Sequence, residues 1–325
     1  MVIPLSLARL LAAACLAAPI AVLAQAYPVK PVRIITQFAA GSGGDIGVRV
    51  AGAAMSDLLG QPIIVENRAG GGGVVAAEAV AHSAPDGYTL LAATPATQVM
   101  RVFMAKTSFD PVKDFVPVTA LSQSVAVIIA NPAFPPNTMA ELINYAKRNP
   151  GKVSFGTSGI GTEHHLSAEQ IKMLAGIDMV HVPYKSGFQA MGDVISGQIP
   201  ISFSISGPVL TPLRTGKLKA IAVVSEKRYA RLPDVGTVRE AVPNFEPVQG
   251  WTGLFAPARL PQAILRRLAA DAIKGITSAN ARAKLGDAGF EAIGNTPGEF
   301  AAMIKGEIEL VGKILKATGM QLPEQ

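Results

Sequence analysis

Three times in this chain an apolar run breaks into glycines and resumes as a helical pattern. The stretches are "FAAGSGGDIGVRVAGAAM" (38–55), entered from the run Val32 to Ile35, "VENRAGGGGVVAAEAV" (65–80) and "VSFGTSGIGTEHHLSAEQI" (153–171). Strand, glycine turn and helix in that order belong to sheets covered by helices, with right-handed crossovers between parallel neighbours. The spacing predicts strands near 32–37, 62–66, 88–93, 125–130, 152–155, 179–182, 200–204, 219–224 and 251–256. Helical patterns fill 45–59, 73–82, 96–104, 138–148, 163–175, 188–196, 207–214, 262–275 and 298–317. Runs such as "VAVIIA" have no polar face, as expected of strands buried on both sides. The fold class expected is α/β, with mostly parallel sheets.

Two proline-bearing stretches interrupt the rhythm, "SFDPVKDFVPVTAL" (108–121) and "RLPDVGTVREAVPNFEPVQG" (231–250). Two passages between domains imply one domain inserted in another: a discontinuous domain 27–127 plus 227–325, and an inserted domain 128–226. At 325 residues the chain is long enough to give each its own core.

Residues 1–26 stand apart. "LLAAACLAAPIAVLAQA" follows Arg9, is apolar or small throughout and ends Ala24-Gln25-Ala26, which reads as a secretory signal peptide cleaved after Ala26. A membrane anchor is the competing reading; the run is short for a bilayer and Pro19 interrupts it. The sole cysteine, Cys15, sits in this leader, where "LAAAC" resembles a lipoprotein box with too short an apolar run before it. A mature chain without thiols has no disulfide, no cysteine nucleophile and no thiolate metal site. Loss of Arg9 lowers the formal charge of +6 by one, and the basic residues form no runs interleaved with aromatics. Nucleic acid is therefore a poor partner, and a small anion a good one.

The first glycine stretch fails as a dinucleotide fingerprint. Gly41 and Gly43 fit G-x-G-x-x-G, but Ile46 stands at the sixth place, although Glu66 is spaced to meet a ribose. What remains is a helix opened near Asp45, whose free N–H groups and positive dipole end receive a carboxylate as readily as a phosphate. Residues 39–45 and 156–162 are read as ligand loops and 69–73 as a tight turn. Thr157, Ser158 and Thr162 add hydroxyl donors. His165 and Glu169 are half of a metal site without a third ligand. Ser158 lies in a near nucleophile elbow spoiled by Ile160, which keeps a secreted serine hydrolase as the alternative function. Lys185 is placed to meet an anion or simply to be solvated, and Trp251 to pack a hinge.

The strings "FAAGSGGD", "VENRAGGGG", "APDGYTLL", "FDPVKDFVPV", "GTSGIGTEHHLSAE", "HVPYKSG", "TGKLKAIAV", "RLPDVGTVREA" and "GLFAPARLP" run in order from Tyr27 to about Leu322. In this the chain resembles the Bug-type substrate-binding proteins of tripartite tricarboxylate transporters. The resemblance implies a two-domain periplasmic binding protein, type II-like, that closes over a small organic anion without catalysis or cofactor. It further implies a monomer that serves membrane permease subunits. By position it implies ligand contacts at Phe38, Ala39, Ala40, Gly41, Ser42, Gly43, Gly44 and Asp45, and at Thr94 and Gln98. In the inserted domain they fall at Thr157, Ser158, Gly159, Thr162, His165, Tyr184, Lys185, Ser186 and Asp193. Gln37, Gly44 and Pro200 depart from the family's usual proline, threonine and aspartate.

Overall fold

The computed structural model describes residues 27–104 and 107–322; the expected leader and Cys15 lie outside them. Two sheets organise the chain. The first holds six strands, β1 (Val32–Thr36), β2 (Ile63–Asn67), β3 (Thr89–Ala93), β4 (Phe115–Ser124), β10 (Gly250–Pro257) and β11 (Phe290–Ala292), in the order β11-β4-β10-β3-β1-β2. The second holds β5 (Ala126–Ala130), β6 (Ser154–Thr157), β7 (Val180–Pro183), β8 (Ile201–Ile205) and β9 (Lys219–Val224), in the order β7-β6-β8-β5-β9. Each contains the same parallel trio, β2-β1-β3 and β7-β6-β8.

Helices cover these sheets: α1 (Gly43–Leu59), α2 (Val74–Ala81), the short α3 (Pro95–Gln98), α4 (Met139–Arg148), α5 (Glu163–Ala175), α6 (Gly187–Ser196) and α7 (Ser206–Arg214). They are followed by α8 (Val238–Ala241), α9 (Gln262–Ile276), α10 (Ala279–Asp287) and α11 (Pro297–Thr318). Val48, Met55, Leu254 and Leu268 fill one face of the first sheet, and Ala77, Val80, Phe255 and Phe300 the other. Phe155, Ile171 and Phe203 lie against one face of the second, Val127, Val194 and Val209 against the other. Each of the larger of these side chains removed from water contributes roughly 1.5–3 kcal/mol. Leu166 of α5 belongs to the first sheet's core, beside Phe300 and Val311, and so ties the two halves together.

The sheets are mixed rather than mostly parallel. β10 runs antiparallel to β3 and β4, β11 antiparallel to β4, and β5 antiparallel to β8 and β9. The cause is the crossing itself: β4 leads straight through Val125 into β5 of the other sheet, and β10 returns the opposite way. The stretch 108–121, read as irregular, therefore contains an interior strand. Pro117 hid it, since proline cannot donate to a ladder; it pairs with Phe255 beside a register shift at Leu254/Phe255. The second proline-rich stretch holds α8, closed by a Thr237–Glu240 capping box. The pattern at 96–104 is α3 followed by a 3₁₀ turn, Met100–Phe103.

Candidate functional site

Each parallel trio ends in a loop and a helix N-terminus. After β1 the helix begins at Gly43, with Ser42 and not Asp45 as its cap: the Asp45 N–H donates to Ser42 Oγ at 3.4 Å. The Asp45 carboxylate turns back and accepts from the Gly41 N–H (2.9 Å), Arg49 Nε (2.9 Å) and Asn67 Nδ2 (2.7 Å). Burial alone would raise its pKa; hydrogen bonds from Arg49, Asn67 and Gly41 outweigh that and hold it below the ordinary value. Asp45 therefore shapes the loop. Ala39, Ala40 and Gly41 are exposed. Among the described residues the N–H groups of Gly43 and Gly44 have no acceptor, as at any open helix start. A Cβ at Gly44 would meet the Phe38 ring, so any larger residue there requires that ring to move.

Gln37, another of the three departures, stitches the neighbouring loop in place. Its Nε2 donates to Thr94 Oγ1 (3.0 Å) and its Oε1 accepts from Thr97 Oγ1 (2.6 Å). Gln98 is buried with Nε2 unpartnered. The stretch 69–73 is the tight turn expected of it: Gly70 to Gly73 all have positive φ, and the carbonyls of Gly71 and Gly72 are taken by Arg101 and Thr97. Glu66 pairs with Arg33 and Arg68 at the surface.

The loop after β6 repeats the first. Thr162 caps α5, accepting from the His165 N–H at 3.4 Å, and His165 Nδ1 accepts from the Gly161 N–H at 3.1 Å. Thr162 Oγ1 also donates to the Gly159 carbonyl (2.9 Å). The N–H groups of Thr162 and Glu163 stay open among the described residues. His165 stacks on His181 with ring centroids 3.8 Å apart, and His181 stacks on Phe155 and bonds Thr157 Oγ1 at 2.7 Å. Burial first, then neighbouring charge, lowers both histidines to about 4, so both rings are neutral near pH 7. Tyr184 donates to Asp193 (2.8 Å), which uses that carboxylate to orient the phenol; burial and then Asp193 push Tyr184 up to about 12. Lys185 and Ser186 are exposed, and Ser186 caps α6.

At the carboxyl ends of β6, β7 and β8 these elements enclose a cavity of about 190 Å³ whose lining includes Ser158, His164, Phe188, Met191 and Ser204. Sequence reasoning passed over Phe188, Met191 and Ser204; the one available signal was a bulky aromatic in a helix's first turn, and Phe188 is 64% exposed. The first loop is joined to this wall through 288–290. A Cβ at Gly43 would stand 3.2 Å from the Phe290 ring, and one at Gly207, in the helix after β8, 2.8 Å from the Ala288 carbonyl.

Both ring nitrogens of His164 are unpartnered, so no hydrogen bond runs from Ser158 to that base and no carboxylate orients it. Among the described residues no group of three or more His, Asp or Glu could hold a metal, and no helix is long and apolar enough to cross a membrane.

Residues 48–320 match the model of the tripartite tricarboxylate transporter family receptor. The protein BugT of Bordetella pertussis is 30% identical over 315 residues, covering 96% of each chain. Among solved structures, MatC from Rhodopseudomonas palustris with bound malate is 32% identical, with a TM-score of 0.73 over 89% of this chain and all of that one. An R. palustris protein with adipate is 28% identical, with a TM-score of 0.78 over 91% of this chain and 99% of that one.

Proposed function

Since the chain belongs to the tripartite tricarboxylate transporter receptor family, whose members are binding proteins and not enzymes, we propose that it captures a small organic anion in the periplasm and passes it to membrane permease subunits. The ligand is a di- or tricarboxylate, an amino acid or a related carboxylate. The observation that carries this reading is the pair of matched loops, Gly41–Asp45 and Gly161–His165, each ending a parallel trio in open N–H groups. Malate and adipate in two solved relatives add support.

In this reading each sheet is the centre of one domain, 27–127 plus 227–325 and 128–226, although β5 of the second sheet already begins at Ala126. The anion docks on one loop, closure about Val125 and the 225–249 return brings the other onto it, and the monomeric receptor then meets its permease. The contacts carried over at Phe38 to Asp45, Thr94, Gln98, Thr157 to Thr162, His165, Tyr184 to Ser186 and Asp193 divide into two roles. Main-chain donors hold the anion; Asp45 and His165 hold the two loops in shape, and Asp193 orients the Tyr184 hydroxyl. Micromolar capture requires about 8 kcal/mol, within reach of several charge-assisted hydrogen bonds.

Thermal-shift and calorimetric screening of the purified protein against organic acids and nucleotides tests this. Binding of at least one carboxylate at micromolar concentration is expected. Stabilisation by nucleotides and by no organic acid would overturn it.

A further inference from the structure

The segment Gln249 to Trp251, by which the chain returns to the first sheet, is held between two carboxylates. On one side Glu307 of α11 accepts from the Gln249 N–H at 3.0 Å and from Trp251 Nε1 at 2.6 Å. On the other stands Glu163, the first residue of α5: a Cβ at Gly250 would lie 3.2 Å from its Oε1. The main-chain N–H of Glu163 is one of the open donors of the second loop, and Leu166, one turn on, shares a core with Trp251. The start of α5 therefore rests on the segment that Glu307 pins.

Glu307 is 7% exposed, and burial raises its pKa to about 7, so close to neutrality it is divided between its two forms. Of the charged groups around it, Glu163 adds to the rise. Glu226 and Glu246 of the return and Arg239 of α8 line an adjacent cavity of about 330 Å³. Arg101, in the 3₁₀ turn packed on α11, donates to the Gly71 carbonyl, and Lys305 and Glu309 of α11 itself are exposed. β4 and β10 bring no titratable side chain. An anion on the second loop adds a negative charge at the start of α5, where screening by water is weaker than at the surface.

We propose that Glu307 is a positioning residue for anion capture: it fixes the crossing on which α5 starts, and it takes up a proton when an anion seats on the open N–H groups there. This rests on the carboxylate-receptor reading and adds a pH dependence to it. The linkage is reciprocal, so whatever the bound anion adds to the proton affinity of Glu307, the proton adds to the affinity for the anion.

Trp251 is the sole tryptophan, so its emission reports the state of the carboxylate on its N–H. Emission is followed from pH 5.5 to 8.5 in the wild type, Glu307→Gln and Glu163→Gln. Calorimetry with malate, adipate and glutamate at pH 7, in Mops and in Tris, counts the protons exchanged, and titrations at pH 6 and pH 8 give the affinities. Expected are uptake of about 0.3–0.5 proton per anion and capture about threefold or more weaker at pH 8 than at pH 6. The emission should change near pH 7 in the wild type, at higher pH with the anion bound and at lower pH in Glu163→Gln, and should stay flat in Glu307→Gln. A merely structural Glu307 would move none of these. Flat wild-type emission, or binding without proton exchange, overturns the inference and leaves the receptor reading standing; both are measured on the wild type and hold even if Glu307→Gln does not fold. Failure to bind any carboxylate overturns both.

Discussion

Gly41 and Gly161 occupy equivalent places in the two halves of the molecule, each donating its N–H to the side chain four residues on, Asp45 at 2.9 Å and His165 at 3.1 Å. Both have positive φ, 78° and 76°, and each is followed by a hydroxyl cap, Ser42 or Thr162. One device therefore builds both open helix starts, with an anion in one loop and a neutral ring in the other. The difference suits a guest of negative charge: Arg49 and Asn67 neutralise and tether Asp45, whereas His165 needs no counter-charge.

Asp45→Ala should remove three hydrogen bonds from a buried carboxylate and leave the Gly41 N–H loose. Hydrogen bonds to charged groups contribute about 1.5–3 kcal/mol each, and because the half-exposed Arg49 regains water when its partner is lost, a loss of about 2–3 kcal/mol is expected in denaturant unfolding. Because the folded pKa is lowered, the wild-type contribution is present above the ordinary carboxylate range and is lost as pH falls through the folded value. A variant as stable as the wild type at pH 7 would refute this role.

His165→Asp should keep an acceptor for the Gly161 N–H yet weaken anion capture at least tenfold, through charge alone. His165→Leu should weaken capture and also lower the melting temperature. Equal affinities for wild type and His165→Asp would show that the side chain is remote from the bound charge.

Glu307 couples the long C-terminal helix to the returning crossing: it accepts from Trp251 Nε1 at 2.6 Å and from the Gln249 N–H at 3.0 Å. Burial raises its pKa from 4.5 to about 7, with Glu163 adding to the rise and the two hydrogen bonds opposing it. A raised carboxyl contributes stability below 4.5 that is lost as pH rises through 7, about 3 kcal/mol in all. His165 and His181, lowered to about 4, run the other way: their contribution is present above 6.5 and lost as pH falls toward 4. The two trends oppose each other between pH 4.5 and 6.5. Glu307→Gln should unmask the histidine slope, so that stability falls steeply on acidification in that window; a profile parallel to the wild type would exclude the Glu307 titration.

Gly207→Val forces side-chain atoms onto the Ala288 carbonyl, where the two halves approach backbone to backbone and Ser206 Oγ donates to the Gly289 carbonyl at 3.3 Å. Overpacking of this kind costs about 1–3 kcal/mol. A larger radius of gyration by solution X-ray scattering and weaker ligand capture should accompany it; an unchanged radius would show that this approach does not set the spacing of the halves.

Local rules made most elements legible. Apolar runs and their period placed β9 at Lys219–Val224 and α5 at Glu163–Ala175 as read. The same rules missed β4, because a strand with Pro117 is tolerated only through a register shift supplied by β10, far away in the chain. They missed α10, whose small and polar residues carry little periodicity, and β11, three residues long.

What the sequence determined by itself is local: where strands and helices begin, which glycines turn, and the family strings that mark a two-part receptor. Which way neighbouring strands run, how the chain passes from sheet to sheet at Val125, and that His164 is buried without a hydrogen-bond partner were decided only in three dimensions. Propensity and periodicity depend on residues a few positions apart. Pairing direction, burial and unmet hydrogen bonds depend on groups brought together from a hundred residues away.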